Sequence, residues 1–281
     1  MISQLIGAVV RAVVVFIVIS TPSLLIPWTG AETIQIVMLL GVFAALFTFS
    51  EYSSTYPALL EFRDAAPFNR IRVLALFATV FTLSLVAANE IGGSTLTLVL
   101  NASGLIVTQA LDFSYAPLRL LLDQIPSSAS PETVLRAQAM VGVATIIGLF
   151  SVTIFAILTR LQSWPRRKSP FNVWVNLPTF DPNNCFADIV SRLKWLSRVN
   201  ILLGFVLPFV IPVVVNLAAT HLGLTMIDST QTMVWVITLW MFLPLNMFMR
   251  GMAMARVAEM ITERRRRLVT NPEPFADYAT S

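Results

Sequence analysis

Cysteine and histidine are almost missing from this chain: Cys185 and His221 are the only ones in 281 residues. That excludes an intrachain disulfide, a zinc site built from Cys and His alone, and a haem held by two histidines of the chain. Charge is equally scarce. Only 12% of residues are Asp, Glu, Lys or Arg, about half the share of an ordinary soluble domain. No acids cluster within the apolar runs, so a carboxylate metal site, open in principle, has no candidate there, and the intramembrane acids that proton-coupled pumps use are missing. No phosphate-binding glycine loop and no H-E-x-x-H are present.

What is there is apolar surface. Hydrophobic residues make up 56% of the chain, and the mean hydropathy is +0.77. Six runs approach or exceed the roughly 18–20 apolar residues that cross a bilayer: Leu5–Pro27, Thr33–Phe49, Val73–Ala88, Ala139–Leu161, Val199–Thr220 and Gln231–Met249. Lipid offers no partner to a free N–H or C=O, so these runs are expected to be helices. The fold class is all-α, a polytopic membrane protein of six transmembrane helices. The first run has no small-x-small motif behind it and is read as a retained span rather than a cleaved signal.

A seventh run, "STLTLVLNASGLIVTQAL" (Ser94 to Leu111), is short and interrupted by "NASG". The cations arbitrate. Lys and Arg collect on the cytoplasmic flanks of spans. With six spans and both termini inside, every basic residue but Arg119 and Arg136 falls on the inner side. A seventh crossing would turn "PRRKSP", "RRRR" or "EFRDAAPFNRIR" outward. Ser94–Leu111 is therefore expected to be a re-entrant or interfacial helical segment of the outer face. Two placements fit: a dip that turns at Asn101–Gly104, or a helix lying in the interface or on its neighbours. "SYAPLRLLLDQI" puts Leu118, Leu121, Leu122 and Ile125 on one face of a short surface helix. Ser130, Pro131 and Glu132 supply an N-cap, a first-turn proline and an acid at the positive helix end. The fourth span is thus expected to run from Pro131 to Leu161, about 45 Å at 1.5 Å per residue.

The domain organisation follows: residues 1–89 as a three-helix membrane half, 90–138 as the outer-face segment, 139–267 as a second three-helix half with the cytoplasmic loop 162–198, and 268–281 as a disordered tail. "PALLEFRDAA" in the first inner loop is expected to be a short helix, and "NVWVNL" in the second a short strand. Phe186, Ile189, Val190, Leu193 and Leu196 form an apolar stripe leading into the fifth span, and the last helix is expected to continue past the membrane to Leu268.

Two groups of residues invite functional readings. Glu61, Arg63, Asp64, Arg70 and Arg72 on the first inner loop are candidates for binding a partner. Pro208, Pro212 and Asn216 in the fifth span, with Pro244 and Asn246 in the sixth, are candidates for a hinge or for polar contacts between helices, because proline frees carbonyls and buried Asn seeks a partner. The serine of "NASG" with His221 has the look of a rhomboid-type pair, but His221 stands at the outer end of a span, and the chain is read as no enzyme. The "RRRR" run is read as lipid-facing, without nucleic acid as a partner.

"PALLEFRDAAPFNRIRVLALF" resembles the coupling helix and third span of the permease subunits of the lipopolysaccharide exporter, and "VNILLGFVLPFVIPVVVNLAATHLGL" is loosely similar to their fifth. The resemblance implies six spans, inner termini and a separate ATPase docking on the first inner loop, with Glu61 as the candidate acid of the coupling helix. That family carries an outer β domain; residues 90–138 are shorter and helical in pattern. The expected function is a non-enzymatic accessory, assembly or scaffold subunit of a larger complex in a bacterial inner membrane. Its expected partners are the bilayer and other membrane subunits, and no cofactor is expected. The alternative is a permease or channel component working with an ATPase.

Overall fold

A computed structural model describes residues 2–55, 58–63, 68–88, 93–161, 177, 188–223 and 225–270. Among these the regular structure is entirely helical: α1 (Ile2–Leu25), α2 (Ala31–Ser53), α3 (Phe68–Ala88), α4 (Thr95–Ala110), α5 (Pro117–Leu122), α6 (Pro131–Leu161), α7 (Ile189–Leu222) and α8 (Thr230–Thr270). Six of them, all but α4 and α5, are long and apolar enough to cross a bilayer. The chain is a helical, multi-pass integral membrane protein.

The direction of the spans follows from their contacts. Phe68, which opens α3, packs edge-on against Phe155 near the end of α6, ring centroids 5.6 Å apart. At the other end Leu83, Val86 and Ala87 of α3 share a core with Ala137, Ala139 and Met140 of α6. The two helices are antiparallel neighbours. Everything between them, α4 included, therefore leaves and returns at one face of the bundle. The six crossings are even in number, and the start of α1 and the end of α8 lie on the opposite face, which we call the basic face. The far face keeps Arg119 and Arg136, and each meets an acid: Asp112 at 3.6 Å and Glu132 at 2.7 Å.

The segment between α3 and α6 corrects one expectation. Residues 101–104 do not turn; α4 runs unbroken through them. Its 16 residues span about 24 Å, short of a hydrocarbon core of about 30 Å. Gly104 serves a different purpose. A Cβ there would overlap the Ala139 carbonyl, and a Cβ on Gly142 would overlap the Gly104 carbonyl. The two backbones touch at this crossing, as small residues allow where lipid supplies no hydrophobic drive. One turn on, Thr108 Oγ1 donates to the Gln138 carbonyl at 2.7 Å. These pairings set α4 antiparallel to α6. The other face of α4, with Leu96, Val99 and Ile106, stays exposed. In α5 the apolar face turns to protein rather than lipid: Leu118 and Leu121 are buried in the core, with Leu122 and Ile125 at its margin.

Three further expectations hold. Helix α6 begins at Pro131, with the Thr133 N–H donating to Ser130 Oγ at 3.2 Å. Val190 and Leu193 at the start of α7 are buried. Helix α8 continues to Thr270. Of the expected strand over 172–177 only Leu177 is described, and it is buried; of the expected tail 268–281, residues 268–270 are instead the last of α8, and 271–281, like Phe186, lie outside the described residues.

Helices α3 and α8 form the centre, with 44% of their apolar stretches buried, against 11% for α2 and α7. The α7–α8 hairpin explains the two prolines four apart. Proline has no N–H, so Pro212 leaves the carbonyl of Pro208 without its helical donor. Trp240 of α8 supplies one: its indole N–H donates to Pro208 O at 3.1 Å. Trp240→Phe is expected to destabilise the detergent-solubilised protein by about 1–2 kcal/mol, the range for an orphaned backbone acceptor. Pro212→Ala should shrink that loss, since alanine brings back the in-helix N–H donor that proline lacks. A double-mutant cycle on thermal unfolding measures it, and equal losses in both backgrounds contradict the assignment.

Candidate functional site on the basic face

The basic face is organised by two glutamates and two arginines. Glu51 closes α2 and is buried. Its carboxylate accepts the N–H groups of Ala58 (3.1 Å), Leu59 (3.0 Å) and Leu60 (2.9 Å). Three successive amides aimed at one carboxylate form an anion nest. The same loop brings a second correction. Residues 58–63 are bends and turns, not the short helix expected over "PALLEFRDAA". Arg63 folds back over the end of α2. Its guanidinium donates to the carbonyls of Ser54 at 2.6 Å and Thr55 at 3.3 Å, satisfying groups the helix terminus leaves open.

Glu61 points the other way, into the bundle. Arg250 of α8 grips it with Nε at 2.6 Å and Nη2 at 2.7 Å. Such a fork is the strong form of an Arg–carboxylate pair. The remaining guanidinium nitrogen, Nη1, donates to Asn200 Oδ1 of α7 at 2.9 Å, and Asn200 Nδ2 donates to the Leu196 carbonyl at 2.7 Å. Asn69 of α3 completes the set by donating to the Glu61 carbonyl at 2.8 Å. Ser197 adds a further α7–α8 tie, donating to the Gly251 carbonyl at 2.8 Å.

Between the glutamates' anchor points sits Phe62. Its φ of +54° is costly for a side chain with a Cβ. The ring is fully buried and lies 4.5 Å from the Phe68 ring, so the conformation is enforced by packing on one side and by the two carboxylates on the other. The short loop is thus bolted to α2, α3, α7 and α8. Farther out, Arg265 of α8 meets Asp188 at the head of α7 at 2.6 Å and, through that hydrogen bond, holds its carboxyl below the usual range.

The sequence-derived candidates divide accordingly. Glu61 and Arg63 are spent on contacts within the chain. Arg72 donates to Asn69 Oδ1 at 3.3 Å and lies 5.0 Å over the Phe68 ring. Arg70 is exposed. Asp64 lies outside the described residues. In the spans, Pro208 and Pro212 belong to the tryptophan contact, and Pro244 lies inside α8. Asn216 pairs along its own helix, accepting from Thr220 Oγ1 at 3.2 Å. Asn246 Oδ1 is buried without a described partner. The asparagine that bridges helices is Asn200, which sequence reasoning did not single out; its signal was its proximity to a span's basic end, matched by an arginine at the basic end of the next span. Ser103 donates to the Leu100 carbonyl of its own helix at 2.9 Å.

Chemically, this arrangement holds a loop in place. Every carboxylate oxygen of Glu51 and Glu61 accepts from a described donor, and no group of three metal-ligating side chains occurs among the described residues. No protein-family model, curated protein or solved structure matches the chain.

Removing one member of a buried pair strands the other charge, at about 3–5 kcal/mol. Arg250→Gln and Glu61→Gln are each expected to lower thermal stability in detergent by close to that amount. Arg250→Met combined with Glu61→Leu should lose less than either single change. Single losses below about 1 kcal/mol contradict a buried, bidentate pair.

Proposed function

We propose that this protein is a non-enzymatic scaffold or assembly subunit of a larger complex in a bacterial inner membrane, its basic face in the cytoplasm with both termini. One observation carries the reading: four buried hydroxyls of the bundle, on α3 and α6, turn back on their own helices. Thr79, Ser84, Thr145 and Thr159 each donate to the carbonyl four residues earlier, at 2.6 to 2.9 Å. A conduit needs polar groups aimed at a shared lumen; these four are consumed locally, and two that reach across helices, Thr108 and Ser197, are spent on backbone carbonyls. The loop between α2 and α3 is held rigid, which suits a fixed docking edge for other membrane subunits. The orientation rests on the preference of Lys and Arg for the cytoplasmic side.

A second reading has its own support. Arg250 ties the 58–63 loop to α7 and α8, which carry Pro208, Pro212 and Pro244 in their interiors. A push on that loop by an ATPase would reach both. This is the arrangement a permease component would use, in line with the resemblance to the exporter subunits.

Affinity purification of the full chain from its native membrane in mild detergent separates the two. The scaffold reading expects stoichiometric membrane subunits and no ATPase. A stoichiometric ATPase supports the permease, and a lone chain that moves solute across liposomes overturns the scaffold. Reporter fusions at Gln124 and Trp174 are expected to report the outside and the cytoplasm respectively; the reverse overturns the orientation.

A further inference from the structure

Beside the loop, between α1, α2, α3 and α8, lies a cavity of about 770 Å³. This is a usual size for a small-molecule site. Four arginines line it, Arg11, Arg63, Arg70 and Arg72, with Tyr52 and Asn69 among them. No acid is among its described lining residues. The glutamates nearby are hydrogen-bonded elsewhere, Glu51 to the loop amides and Glu61 to Arg250, while their charges still reach Arg63 and Arg72.

Each arginine is held in a different way. Arg11 donates to the Gly7 carbonyl at 2.7 Å and lies 4.5 Å over the Tyr52 ring. Arg63 is braced on the carbonyls of Ser54 and Thr55. Arg72 stacks on Phe68, and its Nε is enclosed with no described hydrogen-bond partner. Arg70 makes no described hydrogen bond or ion pair and is exposed. Like charges gathered at the edge of a low-dielectric region repel, and an enclosed N–H without an acceptor is costly. Both costs vanish if an anion with several acceptor oxygens occupies the cavity.

The other walls say what kind of anion. Val10, Val14 and Leu74 line the cavity and are exposed on the lipid-facing side of the bundle. The site is therefore cationic at the membrane surface and apolar where it opens sideways to hydrocarbon. A free phosphate would use only the first half. Guanidinium forks match phosphate oxygens better than point charges do.

We propose that this cavity binds one anionic phospholipid, its phosphodiester against Arg11, Arg63, Arg70 and Arg72 and its acyl chains along Val10, Val14 and Leu74. The site does not depend on the scaffold reading: a scaffold and a permease would hold the lipid alike.

Native mass spectrometry of the full chain, stripped of lipid in detergent and titrated with phosphatidylglycerol or phosphatidylcholine, tests it. The expected result is one phosphatidylglycerol retained in preference to phosphatidylcholine. Retention should be about tenfold weaker in Arg72→Gln and in Arg70→Gln, the loss of one charge-assisted contact. Arg119→Gln on the far face should change nothing. Arg70 is exposed and makes no hydrogen bond or ion pair among the described residues, so its variant keeps the test decisive even if Arg72→Gln unfolds. Equal retention of the two lipids, or unchanged retention in Arg70→Gln, overturns the site. Displacement of the lipid by millimolar inorganic phosphate assigns a free anion instead and overturns the amphiphile.

Discussion

The pairing of Arg250 with Glu61 is the contact on which the rest of the basic face depends. A guanidinium near the end of a membrane helix must find a counter-ion or reach water. This one finds a carboxylate from a loop nearly two hundred residues earlier, and a third nitrogen reaches Asn200. The pair is half-sheltered, with 10% of the Glu61 side chain and 27% of the Arg250 side chain exposed. In that setting the attraction is stronger than in water, and so is the penalty for losing either partner. The loop, the α7–α8 hairpin and α3 are consequently one unit, with Phe62 wedged between them.

The same logic of local satisfaction recurs through the bilayer region. Lipid does not drive apolar helices together, so close backbone contact and shared hydrogen bonds must. Gly104 and Gly142 let α4 meet α6 at backbone distance. Trp240 answers the carbonyl that Pro212 orphans. At the far face Gln231 Nε2 donates to Ser23 Oγ at 2.8 Å, pinning the start of α8 to the end of α1. These are single bonds, few enough to be individually testable.

Much of this was legible in the amino-acid sequence. Span number follows from apolar length, and parity follows from where the arginines and lysines fall. The start of α6 was marked by Ser130 and Pro131, because capping chemistry is local. Two features were not legible for physical reasons. "PALLEFRDAA" has helical composition, but Phe62, buried against Phe68, takes a φ of +54° that no right-handed helix contains. "NASG" carries residues that favour turns, yet α4 stays straight, because tertiary contact with Gly142 uses the glycine for closeness rather than for a bend. Asn200 stayed hidden because its partner lies fifty residues away on another helix, and nothing in spacing links the two.

Loop, hairpin and cavity share one premise: residues 58–63 are held, not free. The arginine cavity keeps its shape only while that loop supplies Leu60, Phe62 and Arg63 to its wall. Hydrogen–deuterium exchange on the full chain in detergent reads this directly, since amides bonded to a buried carboxylate exchange far more slowly than those of an open loop. The account predicts that Ala58, Leu59 and Leu60 are protected in the native chain and lose that protection in Glu51→Gln. Exchange of these amides at the rate of an unstructured peptide in the native chain would contradict it.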